Sequence, residues 1–175
     1  MGGIILTNRT IGAIIVILII IMGVFAFMNR EIVKDVQEAQ ENREIIIKDD
    51  QGETKLIFDD IVQLDEEEFT ATLDTSDTDP EEQSYTGIPL IKVIEKAGIT
   101  IEDKNQIIVR GIDGYTVAFG TQELMDKDNL YLAYKHNGKF LKSKREGGSG
   151  PYQIIARKDQ FSQRWCKFVV EIELR

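Results

Sequence analysis

The chain has 175 residues, 21 Lys+Arg against 30 Asp+Glu for a net charge of −9, and 42% hydrophobic residues, enough for one domain with its own core. The negative balance argues against nucleic-acid binding, because neutralising phosphates takes a clustered excess of Lys and Arg. One cysteine and one histidine exclude an internal disulfide framework and a histidine-based metal cluster.

Residues 11–28 (IGAIIVILIIIMGVFAFM) form an 18-residue run without a charge. As a helix this run covers roughly 27 Å, near the thickness of a bilayer's hydrocarbon core. A cleaved signal peptide has a shorter apolar stretch and an Ala-x-Ala-like site, which Phe25-Ala26-Phe27 does not supply. No Cys follows at lipoprotein spacing. Residues 1–30 are therefore predicted to be a cytoplasmic tip and a single-pass transmembrane signal anchor. Arg9, on a short flank without acids, biases that tip to the cytoplasm and puts the bulk of the chain extracytoplasmic.

Residues 31–43 carry Ile32, Val33, Val36 and Ala39 at helical spacing, predicting a stalk helix. Residues 45–48 and 55–58 flank a Gly-containing turn and read as a β-hairpin, and residues 70–73 as a further strand. Residues 74–83 (DTSDTDPEEQ) read as an acidic loop. Thr86 is a candidate cap for a helix over Leu90, Ile91, Val93, Ile94 and Ala97, with Gly98 as its stop. Strands are predicted at 106–110 and 115–119 around the Asp113-Gly114 turn, and at 130–134 before His136-Asn137-Gly138. A Gly/Ser loop at 144–150 precedes strands at 152–156 and 168–174. Residues 44–175 are thus one α+β domain, rich in strands.

Catalytic signatures are absent: there is no Gly-x-Ser-x-Gly, His-Glu-x-x-His or Cys-x-x-Cys, and no phosphate loop. Cys166, between Trp165 and Phe168, reads as a core residue, although Arg164 and Lys167 beside it would favour a thiolate. His136 lies in a turn and reads as solvated. Asp74, Asp77, Asp79, Glu81 and Glu82 offer oxygens for Ca²⁺ but without EF-hand spacing. The most site-like cluster is Arg157, Arg164, Trp165 and Lys167, near Tyr152 and Phe161. Aromatic and basic side chains together suit a flat anion, so these four are the candidate anion contacts.

The order of segments carries a resemblance. Tyr85-Thr86-Gly87-Ile88-Pro89-Leu90 with Ala97-Gly98, the Asp113-Gly114-Tyr115 turn, Leu132-Ala133-Tyr134 through Asn137-Gly138, Gly150-Pro151-Tyr152-Gln153, and Arg164-Trp165-Cys166-Lys167 resemble successive motifs of the sulfite-oxidase-like molybdopterin-binding domain. That resemblance implies a β-rich α+β fold around a pterin pocket. In the family's enzymes it also implies a molybdenum held by the pterin dithiolene and one protein Cys upstream of the aromatic-Thr-Gly segment. Here the corresponding stretch, residues 70–83, offers Thr75, Ser76 and Thr78 but no Cys, and Gln153 stands where the Gly-Pro-x-Arg pattern has its Arg.

The expected function is a degenerate, non-catalytic member: a membrane-anchored binding module for an anionic small molecule or a protein partner, with molybdopterin as the cofactor the resemblance would allow. A molybdopterin-dependent oxidoreductase of the sulfite oxidase type and a structural surface domain are the alternatives. Charge is divided unevenly. Residues 31–134 hold 9 bases and 26 acids, whereas residues 135–175 hold 10 bases and 4 acids, so an anion is expected at the C-terminal end.

Overall fold

The computed structural model describes residues 9, 11–12, 14–26, 42–76 and 78–175. Two compact units are present, Met1–Glu38 and Ala39–Arg175. In the first, the described residues between 9 and 26 are helical and their apolar side chains, Ile11 to Phe25, are exposed. Among the described residues no helix is long and apolar enough to cross a membrane. The expected span over 11–28 includes residues 13, 27 and 28, and the expected stalk includes 31–41, all outside the described residues. Residues 42 and 43, the end of that stalk, form a turn rather than a helix.

The second unit holds two five-stranded sheets. The first takes the order β2-β1-β10-β5-β6, from Glu53–Leu56, Ile45–Lys48, Val169–Leu174, Gln106–Gly111 and Thr116–Gly120. Strands β1 and β10 pair in parallel, Ile46 opposite Glu171, so the start of the domain is tied to its end. Burial alternates along β1, with Ile45 and Ile47 fully buried, as expected of a strand with one face on a core; each such Ile contributes about 1.5–3 kcal/mol. The second sheet runs β3-β4-β7-β8, from Glu67–Thr75, Thr78–Pro89, Leu130–His136 and Lys139–Phe140, with β9 (Gln153–Ala156) also pairing β7. One core joins Ile47, Val109 and Ile172 of the first sheet to Ile88, Leu132 and Ile154 of the second. Three short helices complete the unit: α1 (Phe58–Val62), α2 (Leu90–Lys96) and α3 (Thr121–Met125).

Local chemistry explains most boundaries. Helix α2 buries Leu90, Val93 and Ile94. It stops because Gly98 takes φ +78° while Gly98 N and Ile99 N donate to Glu95 O and Ile94 O, a Schellman closure that favours glycine. The expected cap is corrected: Thr86 lies in β4 opposite Glu68 and Lys135, and Pro89 precedes the helix. Phe58 begins α1 instead of ending a strand, because Asp60 accepts from Ile57 N and caps a helical turn there.

The largest correction concerns residues 74–83. They form most of the distal end of the β3–β4 hairpin, with Thr72 opposite Glu82 and Leu73 opposite Glu81. Alternation in β3, with Phe69 and Ala71 buried between exposed Thr70 and Thr72, carries the ribbon outward past the end of β7. Asp79, Glu81 and Glu82 are exposed for that reason. Pro80 is tolerated because the register shifts between Leu73 and Thr75, where a bulge excuses a missing amide.

Candidate functional site

Strands β7 and β8 are joined by Asn137-Gly138, both at positive φ (49° and 72°), the requirement of a tight two-residue hairpin turn. This turn presents His136 opposite Lys139. The His136 ring is half-buried rather than solvated: it stacks on Tyr85 at 4.9 Å, and Nε2 lies 2.8 Å from Gln83 Oε1. Burial pushes the Tyr85 hydroxyl up to about 12, so the stack is neutral on the tyrosine side at ordinary pH.

Facing the hairpin is the 143–150 loop, which was expected to be loose and is instead built. Ser143 donates from N and Oγ to Glu146, a 3-10 turn covers Lys144–Glu146, and Gly148 N and Gly150 N donate to Ser143 O and Lys142 O. A Cβ on Gly148 would stand 2.1 Å from Lys142 O, so only glycine lets the two backbones approach this closely. Between loop and hairpin lies a cleft of about 510 Å³. Lys139, Lys142 and Lys167 line it together with His136, Asn137 and Ser149, and no carboxylate does. Three lysines without a carboxylate in the same lining make this cleft the candidate place for an anion, while His136 and Asn137 already contact Gln83 Oε1.

Of the four sequence-predicted contacts, the structure brings only Lys167 to this cleft. Arg157 Nε donates to Thr70 O at 2.8 Å, and its side chain borders a different cavity with Glu67, Glu68 and Asp128. Arg164 forks between Asp159 and Glu123 above the Phe119 ring at 4.9 Å. The hydrogen bonds it donates to Asp159 and Glu123 raise its pKa further, and Arg164 in turn holds the Glu123 carboxyl below its usual value. Trp165 is buried, with Nε1 donating to Ala156 O at 3.1 Å and its edge on Tyr85. Residues 164–167 do not alternate as a strand would: Ser162–Arg164 is a 3-10 turn, and Trp165 and Cys166 are both buried. Residues overlooked in the sequence are Lys139, Lys142, His136, Asn137 and Ser149. The excess of lysine after residue 135 was the available signal.

The residues present do not suit the molybdenum the fold implies. Cys166 is fully buried, and burial, then Asp113, pushes its thiol up to about 12, whereas a metal ligand must be a thiolate. The stretch that the motif order would match to the family's ligand Cys, residues 70–83, holds hydroxyls and no thiol, and hydroxyls are poor partners for a metal that favours soft sulfur. Gln153, at the Arg position of the Gly-Pro-x-Arg pattern, is buried and contributes a neutral amide in place of a cation. Asp77 of the proposed Ca²⁺ set lies outside the described residues, and no group of three metal-ligating side chains occurs among the described ones.

Residues 34–175 match the family described as oxidoreductase molybdopterin binding domain. Among solved structures the chain is similar to the sulfane dehydrogenase SoxCD from Paracoccus pantotrophus, at 17% identity and a TM-score of 0.62, covering 75% of this chain and 37% of that one. The chain therefore spans well under half the length of that protein, and the likeness concerns the fold. No curated protein matches the chain. The chain belongs to the oxidoreductase molybdopterin-binding domain family.

Proposed function

We propose that this chain is a non-catalytic member of its family, a module held at the membrane by residues 11–28 with the domain extracytoplasmic, which binds an anionic small molecule in the lysine cleft. The observation that carries the reading is the fate of the thiol. The only cysteine is closed into the core, and the stretch corresponding to the ligand position offers hydroxyls instead. The cleft supports the binding half, since its lysines lie where a dianion would meet several ammonium groups at once. The long apolar run and its flanking Arg9 support the anchor and its orientation.

Family membership favours a second reading, a molybdopterin-dependent oxidoreductase. The full-length chain, purified from a host grown with molybdate, separates the two by its molybdenum content and the fluorescence of oxidised pterin. Metal-free protein is expected; stoichiometric molybdenum would overturn the first reading. Protease added to intact cells tests the topology. Digestion of the domain is expected, and full protection would reverse the orientation.

A further inference from the structure

Arg43 enters β1 in a left-handed conformation, φ 52°, which is uncommon outside glycine. Three segments distant in sequence hold it. Tyr152 Oη donates to the Arg43 carbonyl at 2.9 Å. The guanidinium lies 4.7 Å from the centre of the Phe58 ring in α1 and 5.2 Å from that of Phe140 in β8. Phe58 is itself set edge-on to Tyr134 at 5.6 Å and to Phe140 at 5.8 Å, so the rings that receive the cation brace one another. A guanidinium over aromatic faces is attracted by their negative quadrupoles.

Phe140 also lines the lysine cleft, and it is 50% exposed. Strand β8 has two residues and two register pairs with β7, so side-chain packing on Phe140 decides where this strand sits. Arg43 also acts electrostatically on Glu146, in the loop beside the cleft though not among its lining residues. The Glu146 carboxyl is held low chiefly by hydrogen bonds from Ser143, with Lys142 and Arg43 adding to the effect.

We propose that Phe58, Phe140 and Tyr152 form an arginine clasp for Arg43, and that closing the clasp sets the β8 wall of the lysine cleft, so that anion binding and clasp closure favour each other. The coupling rests on the anion-binding reading of the cleft; the clasp does not. By linkage, whatever Arg43 contributes to anion affinity the anion returns as protection of Arg43.

The peptide bond after Arg43 is a trypsin site, which makes the clasp measurable. The full-length chain in mild detergent is treated with limiting trypsin, and cleavage at Arg43–Glu44 is followed by mass spectrometry; inorganic pyrophosphate binding is followed by calorimetry. Phe140→Ala is expected to speed that cleavage roughly three- to ten-fold without changing cleavage after Lys158, on the scale of two lost ring contacts. Phe58→Leu serves as the second variant should Phe140→Ala unfold. Saturating pyrophosphate is expected to slow the cleavage in the wild type only. Arg43→Ala is expected to weaken pyrophosphate roughly two- to five-fold, and Arg43→Lys, which keeps the charge, to lose part of the same affinity. Unchanged cleavage in both ring variants overturns the clasp. An affinity lost in Arg43→Ala but intact in Arg43→Lys assigns the effect to charge alone and overturns it too. Cleavage indifferent to pyrophosphate, with an unaffected Arg43→Ala, overturns the coupling. A wild type that binds no pyrophosphate overturns the cleft reading and the coupling together, while the ligand-free ring variants still decide the clasp.

Discussion

Across the first sheet, Lys48, Arg110 and Arg175 converge on Glu171 and Glu173 of β10, whereas in the cleft beside β8 the lysines Lys139, Lys142 and Lys167 form no ion pair among the described residues. Both regions are partly exposed and both are rich in long basic side chains. The difference is where the acids are. In β10 the carboxylates sit one strand away from Lys48 and Arg110 and two residues from Arg175, so charge is cancelled in place, each pair worth only about 0–1 kcal/mol at such exposure. In the cleft the charge is left over. Uncancelled charge adds little to the fold and leaves a positive field that an anion can use. Arg164 belongs with the first population and Arg157 is tied to the Thr70 carbonyl, although in sequence both stand nearest the second.

The comparison breaks first on the cleft lysines. Replacing Lys139, Lys142 and Lys167 together by Ala is expected to reduce pyrophosphate affinity roughly a hundredfold, with an unchanged melting temperature; calorimetry and thermal melting check the two halves. An affinity that survives would mean the leftover charge is merely solvated. Gly148→Ala is expected next in size. Its Cβ meets the Lys142 carbonyl, and forcing the backbones apart should cost about 1–3 kcal/mol, read as a lower urea midpoint together with weaker pyrophosphate binding.

Arg164→Ala should behave in the opposite sense. It strips a partner from Glu123 and from Asp159, whose side chain is only 15% exposed, so stability should fall by about 1 kcal/mol while pyrophosphate affinity holds. A loss of binding in this variant would return Arg164 to the site. The smallest effect is expected from β10. Hydrogen bonds from Arg175, then Arg110, hold the Glu173 carboxyl down at about 2 against an ordinary 4.5. A carboxyl depressed in the folded state stabilises above its unfolded pKa, and that stabilisation is lost as pH falls through the folded value. Melting temperature should therefore drop by a few degrees between pH 4.5 and 2, and Glu173→Gln should flatten that part of the curve. A wild-type curve already flat there would mean the β10 pairs contribute nothing.

Much of the fold was legible because its signals are local. The apolar run of β1, the Asp113-Gly114 and Asn137-Gly138 turns, and glycine at the end of α2 each act within a few residues, and each stands where expected. The β3–β4 ribbon was not legible, since an exposed hairpin end of acids and threonines has the composition of a loop. Its strands are revealed only by their pairing. The site was legible in part. Lys167 and the basic C-terminal excess pointed to the right end of the chain, but Arg157, Arg164 and Trp165 were drawn into structural bonds with residues far away in sequence.

The sequence by itself determined most of the strands apart from β4 and β8, the family and the apolar N-terminal run, because period, turn chemistry and motif order are written in neighbouring residues. Only the tertiary structure decided which cations are cancelled and whether the thiol is reachable. Arg164 meets Glu123 across 41 residues and Arg110 meets Glu171 across 61, while Cys166 is sealed beneath Gly111 and the Tyr115 carbonyl. Charge compensation and burial are properties of distances in space, and no spacing along the chain encodes them directly.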